Sequence, residues 1–379
     1  LVFKLSNKII QGHREAFFGE AYNLSYADVY DFSSKKQGLK KWEIELGIHH
    51  KELGLPWDQP VPEDKWDMVA EYCDNDVIAT EVVFNHLQED FNARQILAAL
   101  SGLTVNDTTR QHATKFMFGD DRHPDLVYTD LSTIFPGYEF KDGHSSYMDE
   151  DPSEGGYVFA KPGVYGGLAL MDIQSMHPNS ARLLGYFGSY EPRFDELLKA
   201  RIAVKHHDRD TASKLLNGVL APYLGTDEEM DSLAYALKII INSVYGYTSA
   251  SFDNPFKDPR NIDNIIAKRG ALFMITLKHA VINKGFSLAH IKTDSIKIPD
   301  ATPEIISFIE DFGKQYGYTF EHEATYDRMC LVNDAVYIAR YKGGKKDGQW
   351  VAVGAQFQHP YVFKKLFSHE RIEFDDLTS

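Results

Sequence analysis

The stretch "GLALMDIQSMHPNS", residues 167–180, decides how the rest of the chain is read. Gly167 to Leu170 is an apolar run of strand length, and "SARLLGYFG", from Ser180, reads as the first turns of a helix. Asp172 stands between the two. A carboxylate at a strand-to-helix junction can hold a divalent cation while free N–H groups at the helix start receive phosphate. It can equally cap the helix, and this stretch alone does not separate the two roles.

Composition sets outer bounds. A length of 379 residues suggests two or three domains, and 43% hydrophobic with 25% charged content is ordinary for a globular chain. The net charge of −15 argues mildly against a polyanionic partner, but the charge is uneven. Residues 120–156 carry ten acids and two bases, whereas residues 238–297 carry nine bases and four acids. A local basic face binds a polyanion whatever the total. Cys73 and Cys330 are far apart and lack metal-ligand spacing, which fits free thiols in a reducing compartment. No apolar run approaches membrane length and no signal peptide is evident, so no membrane partner is expected. The chain begins in an apolar run at Leu1 and stops in mid-pattern at "RIEFDDLTS", and so reads as a fragment.

Along the chain, "GLKKWEIELG" and residues 62–100 have helical periodicity. Residues 120–163, rich in Gly, Pro and Asp, read as loops with short strands. Helices are expected over 194–217, over 227–246 (with Thr226 and Glu229 in capping-box spacing) and over about 261–283. "FSLAHIKTDSIKI" alternates around a polar centre and predicts a β-hairpin with Thr293 and Asp294 at its tip. A helix over 303–316 and strands in "TFEHEAT" and "MCLVNDAVYIARY" follow.

Two further stretches keep Asp172 company. In "LKIIINSVYGYTSA", Lys238, Asn242 and Tyr245 share one helical face, which suits a phosphate chain beside a stacked base, although a solvated amphipathic helix has the same pattern. In "KTDS", Asp294 supplies a second carboxylate. Two carboxylates near a helix N-terminus suit Mg²⁺, which takes one or two of them plus substrate phosphates.

In order and spacing these stretches resemble the motifs of family B DNA polymerases, bacteriophage members above all. "DIQSMHP" is similar to motif A, "KIIINSVYG" fits motif B at every defined position, and "KTDS" resembles motif C. Tyr165 and Gly167 fit the Tyr-x-Gly element that links exonuclease to polymerase, and "YCDNDV" fits the third proofreading motif with Tyr72 and Asp76. The resemblance implies an α+β right hand with an antiparallel palm sheet and helical fingers, preceded by the helical remnant of an RNase H-like exonuclease domain. It implies the end of a 3′–5′ exonuclease domain at 1–100, linker and palm with motif A at 101–190, and fingers with motif B at 191–250. Palm with motif C then covers 251–342, and 343–379 ends the palm and starts a thumb.

The resemblance also implies roles. Asp172 and Asp294 are the catalytic metal ligands, with the Ile173 carbonyl, for two Mg²⁺ ions that Mn²⁺ can replace. The N–H groups of Ser175, Met176 and His177 hold the incoming triphosphate, with Arg201, Lys205, Lys238 and Asn242 opposite and Tyr245 at the nascent base pair. Tyr165, Gly167, Lys292 and Tyr337 lie along primer–template DNA. The expected partners are that DNA and deoxynucleoside triphosphates, acting on a monomer in the bacterial host cytoplasm if phage-encoded, with any processivity factor undetermined. The 66 residues between Asp172 and Lys238 leave room for two finger helices and no large insertion.

Departures from the pattern matter. Lys292 replaces the first Asp of motif C, and strand alternation predicts it on the face of Asp294, as a counter-ion near Asp172. His177 replaces the tyrosine that lies beneath the sugar and excludes a 2′-hydroxyl. Ala335 replaces a lysine of the primer-contacting Lys-x-Tyr element, in which Tyr337 remains. The first two exonuclease motifs are absent, so Tyr72 and Asp76 are remnants and no exonuclease activity is expected. Two rival functions remain: a catalytically dead DNA-binding relative, and a nuclease. Neither needs the Lys and Asn of motif B.

Overall fold

A computed structural model describes residues 4–5, 7–8, 11–13, 27–56, 59–357, 360–369, 371–373 and 376; the expected thumb start falls partly outside this set. The chain forms two compact units, one of residues 1–116 with 200–240 and one of residues 117–199 with 241–379. In chain order the longer helices are α1 (Leu39–Glu45), α2 (Trp66–His86), α3 (Gln88–Ser101), α4 (Thr109–Phe118) and α5 (Met176–Leu183). They continue with α6 (Glu191–Lys205), α7 (Asp227–Thr248), α8 (Ile265–Asn283) and α9 (Pro303–Gln315).

The first unit is helical. Phe32, Trp42, Val83 and Leu87 form its small apolar core between α1 and α2. Arg94, on α3, is buried, yet its Nη1 donates to Asp31 Oδ2 at 2.8 Å and to the carbonyl of Asp107 at 2.7 Å. A buried guanidinium is tolerable only when its donors are matched in this way. α7 begins as its capping box predicts: Glu229 N–H donates to Thr226 Oγ1, and Thr226 N–H to Glu229 Oε2.

The second unit is built on a seven-stranded antiparallel sheet. Its strands are β3 (Val158–Ala160), β4 (Gly163–Ile173), β5 (His290–Lys292), β6 (Ser295–Pro299), β7 (Phe320–Leu331), β8 (Tyr337–Tyr341) and β9 (Trp350–Val353), after a separate hairpin of β1 (Glu139–Lys141) and β2 (His144–Ser146). The order across the sheet is β3-β5-β6-β4-β7-β8-β9, so the predicted hairpin β5–β6 lies against β4. Paired residues share a face. Ala169, Met171, Ile173, Ile291, Ile296, Ile298 and Phe320 thus form one apolar face, and all are buried. Helices cover it: Phe273 of α8 packs on Phe320 with ring centroids 6.1 Å apart. A Cβ on Gly313 of α9 would stand 2.7 Å from the Phe320 ring, so only glycine permits that approach.

Two helix expectations change. The segment read as one helix over 194–217 stops at Lys205, because Asp208 caps a new turn at Arg209–Ala212 and His207 and Asn217 have left-handed φ. The helix expected from about 261 starts at Ile265, because Asn261 Oδ1 accepts the Ile265 N–H while Asn264 sits left-handed at the cap. In addition, the two tracts "TFEHEAT" and "MCL" join into the single strand β7.

Candidate active site

The face of the sheet away from the helices carries Leu168, Leu170 and Asp172 on β4. Leu168 and Leu170 belong to an apolar cluster with Tyr326 and Tyr337, so that end is dry. Asp172, at the other end, is opposite Ser295 of β6 and Glu321 of β7. Ser295 follows Asp294, whose backbone carbonyl accepts the Ile173 N–H at 2.9 Å. The two aspartates, 122 residues apart in sequence, therefore meet where β4 ends and the hairpin turns.

The turn is held in a strained form. Thr293 has φ +55°, unusual for a β-branched residue. Its N–H donates to the Tyr157 carbonyl at 2.9 Å, and a Cβ on Gly156 would stand 2.9 Å from its methyl group. Because Asp294 sits in this turn and not on a strand, alternation does not place it. Lys292, exposed, pairs with Ser295 across the hairpin, and Ser295 pairs with Asp172, so Lys292 shares the face of Asp172.

The electrostatics are those of crowded carboxylates. Burial, then the charges of Asp294 and Glu323, push the Asp172 carboxyl up to about 7. Burial and Glu323 also raise Asp294. Glu323 had no place in the sequence reading. It comes to this face through a β-bulge, since β7 has one more residue than β4 between the pairs Leu170–Ala324 and Met171–His322. Among the described residues no hydrogen-bond donor meets the Asp172 carboxylate. Lys297 offsets the cluster, a residue the sequence did not single out. It is 3% exposed, and its Nζ lies 3.2 Å from His290 Nδ1 and 4.9 Å from the Tyr337 ring centre. Burial and the Lys292 charge pull its pKa down to about 8. His290 is held neutral, near 4, by burial and by Lys297. Its Nε2 faces the Asp334 carbonyl at 2.9 Å, which fixes the proton there and leaves Nδ1 to accept from Lys297.

Directly after β4, α5 starts at Met176 with Ser175 left-handed at the cap, which turns the chain sharply from strand to helix. Its ring-bearing residue, His177, lies flat on Tyr245 of α7, with centroids 4.3 Å apart and planes at 4°. Burial lowers the His177 pKa to about 4, and its Nδ1 is buried without a partner among the described residues. The start of α5 and α7 are thus joined by a neutral aromatic stack.

The remaining candidates fall in several places. Asn242 is exposed on α7, four residues after Lys238, which is exposed in the other unit. Lys205 is exposed at the end of α6 and Arg201, a turn earlier, is half-buried, which lowers its pKa. Tyr165 and Gly167 lie on β4; Gly167 has φ +72° and its carbonyl accepts the Asp300 N–H at 2.9 Å. Tyr337 is 9% exposed, packed on His290 and Lys297. Tyr72 and Asp76 are one turn apart on α2, where Lys40 bridges them: its Nζ is 2.5 Å from Asp76 Oδ1 and 4.4 Å from the Tyr72 ring centre.

The chemistry of this donor set fits a hard divalent cation. Two repelling carboxylates and a strand-end carbonyl are oxygen ligands of the kind Mg²⁺ takes with substrate phosphates. No group of three or more His, Cys, Asp or Glu among the described residues forms a self-sufficient metal cage. None of the described helices is long and apolar enough to cross a membrane.

Among solved structures the chain is similar to a family B DNA polymerase from the hyperthermophilic archaeon Pyrobaculum calidifontis. The TM-score is 0.48 and the identity 14%, over 93% of this chain and 49% of that one. The chain therefore spans about half the length of that polymerase. No family model and no curated protein matches.

Proposed function

We propose that the chain performs template-directed DNA synthesis, transferring a nucleotidyl group from a deoxynucleoside triphosphate to a primer 3′-hydroxyl. The observation that carries this reading is the junction of Asp172 with the "KTDS" turn, sealed by the Ile173-to-Asp294 backbone hydrogen bond and followed at once by the start of α5. Metal ligation, phosphate capture and a base-sized aromatic wall then occur in one short tract. In this reading residues 1–100 end an exonuclease domain, 101–190 and 251–342 form the palm, 191–250 the fingers, and 343–379 lead to a thumb.

Asp172, Asp294 and the Ile173 carbonyl would hold two Mg²⁺ or Mn²⁺ ions. Such ions, when bound, acidify an attacking hydroxyl and stabilise a leaving oxygen. The chain's own groups do the rest by positioning and electrostatics. N–H groups at Ser175, Met176 and His177 receive the triphosphate. Arg201, Lys205, Lys238 and Asn242 bind its outer oxygens. The His177–Tyr245 stack walls the sugar and base. Tyr165, Gly167, Lys292 and Tyr337 border the DNA, and Lys297 limits the repulsion among the carboxylates. Tyr72 and Asp76 are the proofreading remnant, with Asp76 engaged by Lys40 and not free for a metal. Phage genome replication in a bacterial cytoplasm is the setting that the motif resemblance favours.

The test is primer extension with Mg²⁺ and one deoxynucleotide at a time. The reading expects addition only of the nucleotide complementary to the template. Failure of any addition, or addition indifferent to the template, would overturn it.

A further inference from the structure

The turn between β8 and β9, "YKGGKK" at residues 341–346, has no part in the site described so far. Lys342, Lys345 and Lys346 are all exposed, and among the described residues no carboxylate lies within ion-pair distance of any of them. Lys346 lies over the Tyr341 ring, 5.1 Å from its centre. Three unpaired ammonium groups within five residues are a concentrated charge on a chain whose net charge is −15. Gly343 and Gly344, at φ +80° and +69°, bend the turn and leave it without side chains, so a backbone can approach closely. The turn is anchored: Lys342 N–H donates to the Thr325 carbonyl at 2.8 Å, and Gly343 N–H to Asp347 Oδ1 at 2.6 Å.

The recess beside this turn has a volume of about 480 Å³, and Glu323 lines it together with the three lysines. The recess wall of His322 to Thr325 on β7 follows directly on Glu321, the residue opposite Asp172. Along β7, Glu321 is opposite Asp172 and Thr325 holds the turn, a separation of four residues or roughly 13 Å at the rise of a strand. A DNA strand in a duplex advances about 3.4 Å per nucleotide. The anchor of the turn on β7 is therefore a few nucleotide rises from the residue opposite Asp172, a span that a DNA strand covers readily.

We infer that the Lys342–Lys346 turn is a seat for the phosphate backbone of the DNA strand whose end lies at Asp172 and Asp294. The inference rests on the synthesis reading above. Its ligand is a polynucleotide backbone, recognised through charge and without base contacts.

The test is fluorescence anisotropy of a labelled primer–template against salt, with wild type and the K342Q/K345Q/K346Q variant. Each lost phosphate contact should flatten the slope of log affinity against log salt by about 0.9. The triple variant should thus lose about 2 to 3 from the slope, bind DNA at least about tenfold more weakly at low salt, and keep its turnover at saturating DNA. K345Q/K346Q should fall between the two. A wild-type slope in the triple variant would overturn this inference while leaving the synthesis reading intact. A wild-type chain that binds no DNA would overturn both.

Discussion

The imidazole of His177 lies flat on the phenol ring of Tyr245, 4.3 Å between centroids. One residue follows the Asp172 strand and the other lies near the end of α7, so the stack ties the start of α5 to α7. If this wall excludes a 2′-hydroxyl, His177→Ala should raise ribonucleotide use relative to deoxyribonucleotide by about tenfold or more, and His177→Phe should restore discrimination. Because burial keeps His177 neutral down to about 4, the wild-type ratio should be flat from pH 6 to 9. The check is kcat/KM for paired nucleotides; an unchanged ratio in His177→Ala would place the sugar wall elsewhere.

Lys297 supplies a second expectation. Its buried ammonium offsets the charges of Asp172, Asp294 and Glu323. Lys297→Met keeps the volume and removes the charge. Divalent cations should then bind more tightly, on the order of tenfold, since a repelling charge has gone. Calorimetric titration of Mn²⁺ without nucleotide reads this directly. Weaker Mn²⁺ binding in a folded variant would contradict the assignment.

Glu191 gives a pH dependence away from the site. Its Oε2 accepts the Phe187 N–H, while Oε1 is buried without a partner among the described residues. Burial, reinforced by Asp195, pushes the carboxyl up to about 7. A raised carboxyl favours the folded state while protonated, so this stability is present below about 4.5 and lost as pH rises through 7. Glu191→Gln should therefore be more stable than wild type at pH 8, by about 1–3 kcal/mol, and no different near pH 4. Urea unfolding at the two pH values measures the gap. An equal effect at both would contradict the linkage.

How much of this was legible in the sequence follows from what is local. The β5–β6 hairpin announced itself by alternation around a two-residue polar tip, and α7 by a capping box at Thr226 and Glu229. Those signals lie within a few residues of what they specify. Lys297 and Glu323 were not legible. Lys297 looks like any strand lysine until β4 and β5 flank it, and Glu323 needs a bulge that exists only when β7 pairs with β4. The break after Lys205 was missed because the apolar spacing continues through it, while Asp208 and the left-handed His207 end the helix.

The central claim is that Asp172 and Asp294 jointly hold the catalytic cation. Single-turnover incorporation by Asp172→Asn and Asp294→Asn variants, with DNA affinity measured in parallel, tests it most directly. The account predicts that each variant binds primer–template like wild type and incorporates more slowly by about 10³-fold or more, equivalent to at least about 4 kcal/mol of lost transition-state stabilisation. A variant that binds DNA normally and keeps a tenth of wild-type incorporation would contradict it.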